Sequence, residues 1–433
     1  MKLINIPKEE FNQKTAHLPC SNWHQTSNWA TLKAHTGWGA HFIGYINDND
    51  EIVAACVLLT KNIPLSKKQL FYSPRGFLID FNNDDLLRSF HKDLINYVKE
   101  HNGFELLIDP YLEYQHRDQD ANIIDDGFNN QSVIDTLIDL GYHHNNGFNL
   151  YSENLQPRWI YTVTLKDKTY KEVLKGYKPE NRRHVKKKDL YAINVRELNR
   201  DEIHLYKDIM AHTASRRGFI DRPLKYYEDM YDAMHDDQIL RYYIAEIDFE
   251  KCIQNMSDEL DKSSVKLNKL KDTFKTLDEE SNQYEKVSKE IKEEENRNQS
   301  LIKKLDTVKT YAKNVNSNNA VLSGITLMKY GNEEVMLLAG NYEDYELFAS
   351  SNILCNELIK LSINEKQDRF NFYGITGDFS ESNPMIGLYN FKKRFGGQVV
   401  ELIGEFEYVI SKPTKLFYEF GLKCYNLTKK FKH

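Results

Sequence analysis

Two aspartates that follow predicted strands are the first candidates for chemistry. Asp109 comes directly after the apolar segment FELLI, and Asp378 follows NFYGITG. An open sheet of strands and helices places its ligands at such strand ends. Either carboxylate could therefore orient an amine there or accept its proton. The alternative is structural, because a lone Asp at a strand end often forms an Asx turn or caps a helix.

Basic residues are concentrated in one stretch of a chain whose net charge is −6. Residues 157–196 contain twelve Lys and Arg against four Asp and Glu. Any binding to a polyanion would therefore use such a local patch, although a solvated helix face is the alternative. The core of this stretch contains five cations: Arg182, Arg183, Lys186, Lys187 and Lys188.

A second mixed segment, LYNFKKRFGG at 388–397, places cations between aromatic residues. Its alternative interpretation is an amphipathic helix whose lysines reach past apolar surface to solvent.

Motifs that would indicate other chemistry are absent from the sequence. There is no nucleophile elbow G-x-S-x-G, no zinc motif H-E-x-x-H, no phosphate-binding P-loop and no dinucleotide fingerprint. The five cysteines lie far apart without a C-x-x-C pair, which suits a reducing compartment and argues against a zinc ribbon. We therefore predict neither a metal nor a cofactor.

The elements that must position these residues form two similar units. The 433 residues predict two or three domains. In the first half, strands lead to LFYSPRG, then to a helix DLLRSFHKDLINYVKEHNG and the strand FELLI. In the second half, strands lead to EVMLLAG, then to a helix LFASSNILCNELIKLSINEK and the strand RFNFYGI. The repeated order and spacing predict an internal duplication of a mixed α/β unit.

A helical insertion separates the segments RYYIAEI and AVLSGITLMK in the second unit. No Gly or Pro occurs from Leu224 to Ser323, and apolar positions recur every three or four residues on both sides of the polar stretch 278–283. This pattern predicts an antiparallel coiled-coil hairpin. One long dimerising helix is the alternative. If the hairpin is correct, the two flanking segments should be adjacent strands.

The C-terminal segment 411–433 carries six Lys against one Glu, with aromatic and aliphatic residues between them. Such a tail would rest on an anionic membrane, and a packed terminal helix with a frayed end is the alternative. The N-terminus turns polar before an apolar segment can form, which predicts no signal peptide. We expect a cytoplasmic protein, at the inner face of the plasma membrane if the tail binds lipid.

Several sequence blocks, kept in order over nearly the whole chain, resemble one family. They are SNWATLKAHTGW, YSPRGFLID, LLIDPYL, TASRRGFIDRPLKYYEDMYDAM and the C-terminal stretch RFNFYGITGDFSESNPMIGLYNFKKRFGGQVVELIGEFEYVISKP. Together they resemble the Fem family of tRNA-dependent peptidyltransferases, in particular its staphylococcal FemA and FemB type.

This resemblance implies an activity and a set of partners. Fem proteins carry an amino acid from aminoacyl-tRNA to an amine on the stem or bridge peptide of a peptidoglycan precursor, forming an amide of the interpeptide bridge. By resemblance, the amino acid is Gly or Ser and the precursor is lipid-linked. Homo- or hetero-oligomers with other Fem proteins are a further implied partnership.

The resemblance also implies the fold. Fem proteins have two subdomains that resemble the GNAT acetyltransferase core, often with a coiled-coil arm like that of seryl-tRNA synthetase. The predicted fold class is therefore α+β, with two GNAT-like mixed-sheet subdomains and an inserted coiled-coil hairpin. The predicted ranges are 1–155 for the first subdomain, 156–245 with 317–410 for the second, 246–316 for the hairpin and 411–433 for the basic tail.

Site residues follow from the positions of the matching motifs. Lys33 and Arg216 resemble the pair that holds the diphosphate of the precursor, where Arg can bind two oxygens at once. Asp109 matches a carboxylate of the substrate cleft, and Phe391 and Lys392 match the pair at the aminoacyl ester. Further predicted substrate ligands are Tyr72, Arg75 and Asp378, and the five cations of 182–188 are predicted to bind the acceptor end of the tRNA.

The reaction asks for these residue types. Aminolysis of an activated ester needs a neutral amine, an aligned carbonyl and stabilisation of the developing oxyanion. We expect Lys392 to supply the cation at the oxyanion. Asp109 would orient the amine or accept its proton, unless a ribose hydroxyl or phosphate of the tRNA relays that proton. An exposed Asp with a pKa near 4 is a poor base for an amine, which favours a positioning role.

Two other functions compete with this interpretation. An acyl-CoA-dependent N-acyltransferase would use the same fold, but no stretch of the chain fits its pyrophosphate loop [QR]-x-x-G-x-[GA]. A catalytically silent scaffold would bind partners through the coiled coil. The presence of Lys33, Asp109, Arg216 and Lys392 at motif positions argues against the scaffold.

Overall fold

The computed structural model describes residues 1–64, 66–145, 156–315 and 317–430. The end of the predicted first subdomain, residue 316 of the predicted hairpin and the last three residues of the predicted tail therefore lie outside the described residues. The strands are β1 (Lys2–Asn5), β2 (Gly39–Ile46), β3 (Ile52–Asn62), β4 (Gln69–Ser73), β5 (Gly103–Ile108), β6 (Glu113–Gln115), β7 (His143–Asn145), β8 (Trp159–Thr164), β9 (Ile193–Glu197), β10 (Leu240–Asp248), β11 (Asn319–Tyr330), β12 (Glu333–Asn341), β13 (Arg369–Ile375), β14 (Gln398–Leu402) and β15 (Glu405–Val409).

The described residues also form helices, most of which lie against the two sheets. They are α1 (Lys8–Thr15), α2 (Ser27–Ala34), α3 (Asp84–Glu100), α4 (Gln131–Asp139), α5 (Tyr170–Gly176), α6 (Pro179–Val185), α7 (Ile203–Arg217), α8 (Leu224–Met234), α9 (Phe249–Phe274), α10 (Asn282–Asn314), α11 (Ser350–Asn364), α12 (Ile386–Lys393) and α13 (Lys412–Lys430).

The predicted duplication is confirmed by the strand pairing. In the first unit β2, β3 and β4 pair antiparallel, α3 follows, and β5 pairs parallel with β4. In the second unit β10, β11 and β12 pair antiparallel, α11 follows, and β13 pairs parallel with β12. Both units therefore share one topology, because each helix carries the chain back to the start of a parallel strand.

The local sequence explains why these elements form. β3 reads IVAACVLLTKN, and its centre from Ala54 to Leu59 is buried, as expected for a strand covered on both faces. α3 begins after Asn83, whose side chain accepts a hydrogen bond from the backbone N–H of Leu86. The buried residues of α3 recur at helical spacing from Leu87 through Phe90 to Leu94 and pack against the first sheet.

Each sheet also receives a strand from the other half of the chain. The seven-stranded sheet has the order β1-β2-β3-β4-β5-β15-β7, and the eight-stranded sheet has the order β6-β14-β8-β13-β12-β11-β10-β9. β15, which the predicted range 317–410 placed in the second subdomain, thus lies in the first sheet, and β6 lies in the second. The predicted ranges are wrong at these two strands. Each range assigned a continuous stretch of chain to one subdomain, whereas β6 and β15 each pair in the sheet of the other unit. The units are therefore joined by two exchanged strands.

A hydrophobic core shared by both units lies between them. It combines Trp29 of α2 and Val57 of β3 with Tyr206 of α7 and Tyr242 of β10, all buried. This packing fixes the position of the first sheet relative to the second and therefore of any site built from both.

The insertion is an antiparallel pair of helices, as predicted. α9 and α10 pack along their length, and the rings of Phe274 and Tyr284 meet at 4.3 Å beside the turn. β10 and β11, which flank the insertion, are adjacent antiparallel strands. The seam also contains a buried carboxylate, Glu294, which accepts a hydrogen bond from Ser263 and pairs with Lys266 at 2.7 Å. A polar residue in such a seam fixes the register of the two helices.

Among the described residues, no helix combines the length and the apolar character needed to cross a membrane.

Candidate active site

Asp109 lies at the end of β5 and is buried, with 2% of its surface exposed. Its Oδ1 accepts a hydrogen bond from the backbone N–H of Arg75 at 2.7 Å. Its Oδ2 accepts from the Tyr72 hydroxyl and from the backbone N–H of Gln156, each at 3.2 Å. The expectation of an exposed Asp with an ordinary pKa is therefore wrong. Burial raises the pKa of Asp109, although the Arg75 guanidinium and the three hydrogen bonds act to lower it.

A chain of hydrogen bonds leads from Asp109 into the second unit. The Tyr373 hydroxyl donates to Gln156 Oε1 at 2.6 Å, while the backbone N–H of Gln156 donates to Asp109. The carbonyl of Tyr373 accepts from Lys392 Nζ at 3.2 Å, and the carbonyl of Gly374 accepts from the same nitrogen at 2.5 Å. The tertiary structure thus brings Asp109 and Lys392, 283 positions apart in sequence, into one connected group.

The backbone at this group adopts an uncommon conformation at two positions. Arg75 has φ +56° and Tyr373 has φ +63°, and neither is a glycine. Tyr373 also lies where the pairing of β13 with β8 shifts register, between Asn371 and Gly374. Non-glycine residues in the left-handed region store strain that only the surrounding structure maintains, and they cluster at functional sites. Here the irregularity leaves the Tyr373 and Gly374 carbonyls aimed at Lys392.

Lys392 has an unusual electrostatic environment for a lysine. Its side chain on α12 is 3% exposed, and within the described residues its hydrogen-bond acceptors are the two carbonyls and no carboxylate. Burial lowers the pKa of Lys392 to about 7, and the nearby Cys355 thiol acts weakly in the opposite direction. The amine can therefore change charge near neutral pH, which is a common property of catalytic groups.

Three cations gather beside this group, and we call them the cation cluster: Lys33, Lys61 and Arg222. Lys33 Nζ lies 5.3 Å and 5.8 Å from the ring centres of Trp29 and Trp38, and Lys61 Nζ lies 5.6 Å from the Trp38 ring. Burial lowers the pKa of Lys33, and Arg222 and Lys61 lower it further.

The cation cluster has free hydrogen-bonding capacity. Within the described ranges, the side chains of Lys33 and Arg222 form no hydrogen bond or ion pair, whereas Lys61 donates to the carbonyls of Thr36 and Gly37. Two unpaired cations held close together are disfavoured unless an anion joins them. The cluster is therefore a candidate anion site.

His24 and Tyr226 connect the cation cluster to the Asp109 group. Burial, followed by the charges of Arg75 and Lys33, holds the pKa of His24 well below its usual value, so this imidazole stays neutral at neutral pH. Burial raises the pKa of Tyr373 to about 12. The charge of Arg75 acts to lower this pKa, and Asp109 and Tyr226 act to raise it. The Arg222 guanidinium in turn lies 5.5 Å from the Tyr226 ring. The anion site and the Asp109–Lys392 group thus lie close enough for their charges to act on the same side chains.

Arg216 is placed differently from the prediction that paired it with Lys33. Its guanidinium donates to Asn341 Oδ1 at 3.0 Å and lies 3.3 Å from Glu343 Oε2. The arginine that acts on the pKa of Lys33 is Arg222, six residues further along the chain. The pairing of Lys33 with Arg216 stays a prediction.

Two other predicted site residues have structural contacts of their own. Asp378 is exposed, and its Oδ1 accepts from the backbone N–H of Ser380 at 2.9 Å. This is the Asx turn given above as the alternative. Hydrogen bonding from the Ser380 side chain and from this N–H lowers the pKa of Asp378. Phe391 is half-buried against the core of the second unit, with its ring 5.6 Å from that of Phe395. Phe391 is next to Lys392 in sequence, and its packing on this core orients α12.

The five cations of 182–188 divide into two kinds. Arg182 donates to the carbonyls of Lys175 and Tyr177, and Lys188 pairs with Glu357 at 2.6 Å, so these two stabilise the fold. Arg183, Lys186 and Lys187 form no ion pair in the part of the chain that the structure describes. Burial lowers the pKa of Lys187, and the neighbouring charges of Lys304 and Arg183 lower it further.

Lys304 lies on the coiled-coil hairpin, so the basic surface extends from α6 to α10. We define the basic surface as Arg183, Lys186, Lys187 and Lys304. α6 is anchored to the end of α12, where the Arg394 carbonyl accepts from the Lys178 backbone N–H at 2.9 Å and from Asn181 Nδ2 at 3.2 Å. The basic surface is thus connected to the helix that carries Lys392.

Sequence reasoning did not identify Gln156, Tyr373, His24, Lys61, Arg222 or Lys304. No single motif marks them, because each acquires its role from neighbours far along the chain. Arg222 and Tyr373 do lie within two of the blocks that carry the family resemblance, and this was the available signal.

Two units of this topology, packed on a shared core, define a two-subdomain GNAT-like fold. A model of the FemAB family matches residues 6–422. The aminoacyltransferase FemA of Staphylococcus aureus (strain bovine RF122 / ET3-1) is 30% identical over 435 residues, which cover 96% of this chain and 97% of that protein. FemA of S. aureus strain N315 matches at the same identity and coverage. The chain belongs to the FemAB family.

A solved structure agrees with this assignment at the level of the fold. The crystal structure of FemX superposes with a TM-score of 0.75 at 24% identity, covering 96% of this chain and 99% of the other. The predicted α+β fold, with two GNAT-like mixed-sheet subdomains and an antiparallel coiled-coil insertion, is confirmed.

Proposed function

We propose that this protein is an aminoacyltransferase that moves an amino acid, Gly or Ser, from aminoacyl-tRNA to an amine of a lipid-linked peptidoglycan precursor, forming an amide of the interpeptide bridge. The observation that carries the proposal is the hydrogen-bonded group joining Asp109 to the buried Lys392, in a chain that belongs to the FemAB family. Since charged tRNA is a cytoplasmic substrate, the reaction takes place in the cytoplasm.

The chemical step is aminolysis of an ester. The amine nitrogen of the precursor attacks the carbonyl carbon, the C–N bond forms, and the ester C–O bond to the ribose breaks. The proton lost by the amine is taken up by the departing ribose oxygen. No cofactor is needed because the ester is already activated.

Lys392 acts on the charge that develops during this step. Two of its N–H bonds are directed at the Tyr373 and Gly374 carbonyls, which fixes the nitrogen and leaves a third proton on the ammonium for the oxyanion. A fixed donor in a dry site stabilises an oxyanion more strongly than a mobile one in water.

Asp109 has a positioning role in this scheme. Its oxygens already accept from Arg75, Tyr72 and Gln156, so the carboxylate orders the loop around Arg75 and the Gln156–Tyr373 link. The leaving ribose oxygen, rather than Asp109, then takes the proton of the amine.

The assignment is tested by incubating the protein with individually charged tRNAs and lipid-linked precursor, followed by mass spectrometry of the precursor. An added mass of one glycine or serine residue is the expected result, with one tRNA preferred. Acetyl-CoA in place of charged tRNA is the matched control and should give no product. Product from acetyl-CoA alone would instead identify the acyl-CoA-dependent alternative.

The cation cluster supports binding of the diphosphate of the precursor, and this gives a first prediction. Replacing Lys33 and Arg222 together by Ala should weaken the binding of a soluble diphosphate precursor by about a hundredfold or more, because each charge-assisted hydrogen bond to phosphate contributes about 1.5–3 kcal/mol. Isothermal titration calorimetry measures the change in Kd.

Arg216→Ala is the matched control, because Arg216 is engaged with Glu343 and Asn341. We expect its Kd to stay within about threefold of the unchanged protein. A larger loss of precursor affinity in Arg216→Ala than in Arg222→Ala would instead support the prediction that Lys33 acts together with Arg216.

The basic surface supports binding of the tRNA acceptor end, which gives a second prediction. Neutralising Arg183, Lys187 and Lys304 should reduce the slope of log Kd against log salt by about two to three units, because each phosphate contact releases about one counterion. Filter binding at several salt concentrations measures the slope. Arg182→Gln with Lys188→Gln is the control, since both side chains are engaged within the protein. An unchanged slope in the triple variant would remove the basic surface from tRNA binding.

A further inference from the structure

Helix α13 exposes a stripe of large apolar side chains. Leu416, Phe417 and Phe420 are 66%, 60% and 67% exposed. Phe417 follows Leu416 directly, and Phe420 lies four residues after Leu416 and three after Phe417, so the three side chains share one face of the helix. A contiguous exposed stripe of this kind marks an interaction surface rather than an ordinary solvated helix.

The opposite face of α13 fixes the orientation of this stripe. The Tyr418 ring packs 5.4 Å from that of Phe104 on β5. Lys415 Nζ lies 3.1 Å from Glu105 Oε1 and also contacts Glu407 on β15. Because α13 is held by one face on the first sheet, Leu416, Phe417 and Phe420 are directed away from the protein.

The charge of the segment indicates what kind of surface it contacts. Residues 411–433 hold six Lys and one Glu in a chain of net charge −6. Lys412 and Lys423 are exposed and lie four residues before Leu416 and three after Phe420, beside the stripe. Lysine is depleted in the core of protein–protein interfaces, whereas an apolar helix face bordered by lysines binds anionic lipid. The composition therefore favours a membrane over a protein partner.

The inner face of α13, opposite the stripe, packs close to the cation cluster. Tyr418 packs in a small apolar cluster with Ile63, Leu70 and Phe104, and Trp38 belongs to the same cluster. The Trp38 ring in turn lies under Lys33 and Lys61. One layer of side chains thus separates α13 from the candidate anion site.

A second exposed apolar point occurs near the cation cluster. Ile220, 93% exposed, and Phe219, 45% exposed, come just before Arg222 in the loop after α7.

We propose that α13 lies in the headgroup region of an anionic bilayer, with Leu416, Phe417 and Phe420 inserted at the acyl boundary. This contact holds the cation cluster next to the membrane, where the diphosphate of a lipid-linked substrate is located. The second half of the statement rests on the proposed function, whereas the lipid contact itself does not.

The test uses the full chain and two kinds of vesicle. We expect the protein to sediment with vesicles of equal parts phosphatidylglycerol and phosphatidylcholine, and not with vesicles of phosphatidylcholine alone. Phe417→Ser with Phe420→Ser should lower the partition coefficient at least about tenfold, because two aromatic side chains no longer leave water. Val265→Ser with Ile302→Ser on the coiled coil, 55% and 47% exposed, is the matched control and should bind as the unchanged protein does.

Activity measurements separate the inference from the proposed function. Turnover of precursor embedded in the anionic vesicles should fall about tenfold in the α13 double variant, while turnover of a soluble precursor without the prenyl chain stays unchanged. Equal vesicle binding by both double variants would overturn the inference. A dimer that the α13 substitutions abolish, without any vesicle binding, would also overturn it and would identify a second copy as the occupant. Vesicle binding without transfer to either precursor would refute the proposed function and leave the lipid contact standing.

Discussion

Replacing Lys392 with Met should lower kcat about a thousandfold while the Kd of the precursor stays unchanged. Met has a similar length and shape but cannot donate to an oxyanion, and a single such donor contributes about a hundredfold to a thousandfold. The site proposed for the precursor diphosphate is the cation cluster, which Lys392 does not contact in the described residues. Single-turnover transfer from charged tRNA measures the rate, and calorimetry measures precursor binding. Full activity of Lys392→Met would remove this residue from the mechanism.

The charge of Lys392 can be followed separately through stability. Its pKa is about 7 in the folded protein and about 10.4 in an unfolded chain. Between these values the unfolded chain binds a proton that the folded chain lacks, so the free energy of unfolding rises with pH in this range. Relative to Lys392→Met, the unchanged protein should gain about 2 kcal/mol between pH 7.5 and 9.0. Urea denaturation of both proteins at several pH values measures this difference, and parallel curves would show an ordinary lysine.

The dependence of rate on pH then distinguishes two roles for the amine. If Lys392 acts as a cation, single-turnover rates should fall as the pH rises above about 7. If rates rise through this range and the rise is absent in Lys392→Met, the neutral amine instead accepts the proton of the nucleophile.

Replacing Asp109 with Ala should reduce both stability and turnover. The change leaves the backbone N–H of Arg75, the Tyr72 hydroxyl and the backbone N–H of Gln156 without their acceptor in a buried site. Each unsatisfied donor costs about 1 kcal/mol or more, so we expect the free energy of unfolding to fall by about 3 kcal/mol. We also expect kcat to fall about a hundredfold, because the Gln156–Tyr373 link to Lys392 loses its anchor.

Asp109→Asn separates the hydrogen bonds from the charge. The amide keeps one oxygen that can accept from Arg75, so it should lose only about 1 kcal/mol of stability. A positioning role predicts that Asn retains most of the turnover, with an unchanged pH profile. If Asp109→Asn is as inactive as Lys392→Met, and the pH–rate profile loses its rise at low pH, the carboxylate accepts the proton of the amine directly.

Much of the architecture could be predicted because it is encoded in local patterns. The heptad repeat from Met256 to Ala312 indicates paired helices without any tertiary information. Glu294 is a polar residue at a seam position where the heptad pattern calls for an apolar one. Its burial there is explained by its hydrogen bond from Ser263 and its ion pair with Lys266 on the facing helix. The order of strand, helix and strand in each half likewise predicts the duplication. No local sequence pattern predicts that β6 and β15 exchange sheets, because the partner of a strand can come from any part of the chain.

The candidate site was predicted in part. Family motifs pointed to Asp109 and Lys392, and the structure joins them through Gln156 and Tyr373. The same motifs pointed to Arg216, which is engaged with Glu343, while the neighbouring Arg222 lies close to Lys33. Which of two nearby arginines comes close to Lys33 depends on where the helix ends and how the following loop turns. For α7 that end is set by Gly218, which has φ +72°.

The sequence by itself determined the two-unit α+β fold, the inserted coiled coil, the family and the residue types available for aminolysis. These features depend on periodicity, spacing and motif order, which are properties of neighbouring positions. Only the tertiary structure decided that Asp109 is buried, that Lys392 loses much of its basicity, and that α13 directs Leu416, Phe417 and Phe420 outward. Burial and charge interactions depend on atoms brought together from distant parts of the chain, so they arise only when both sheets have packed against each other.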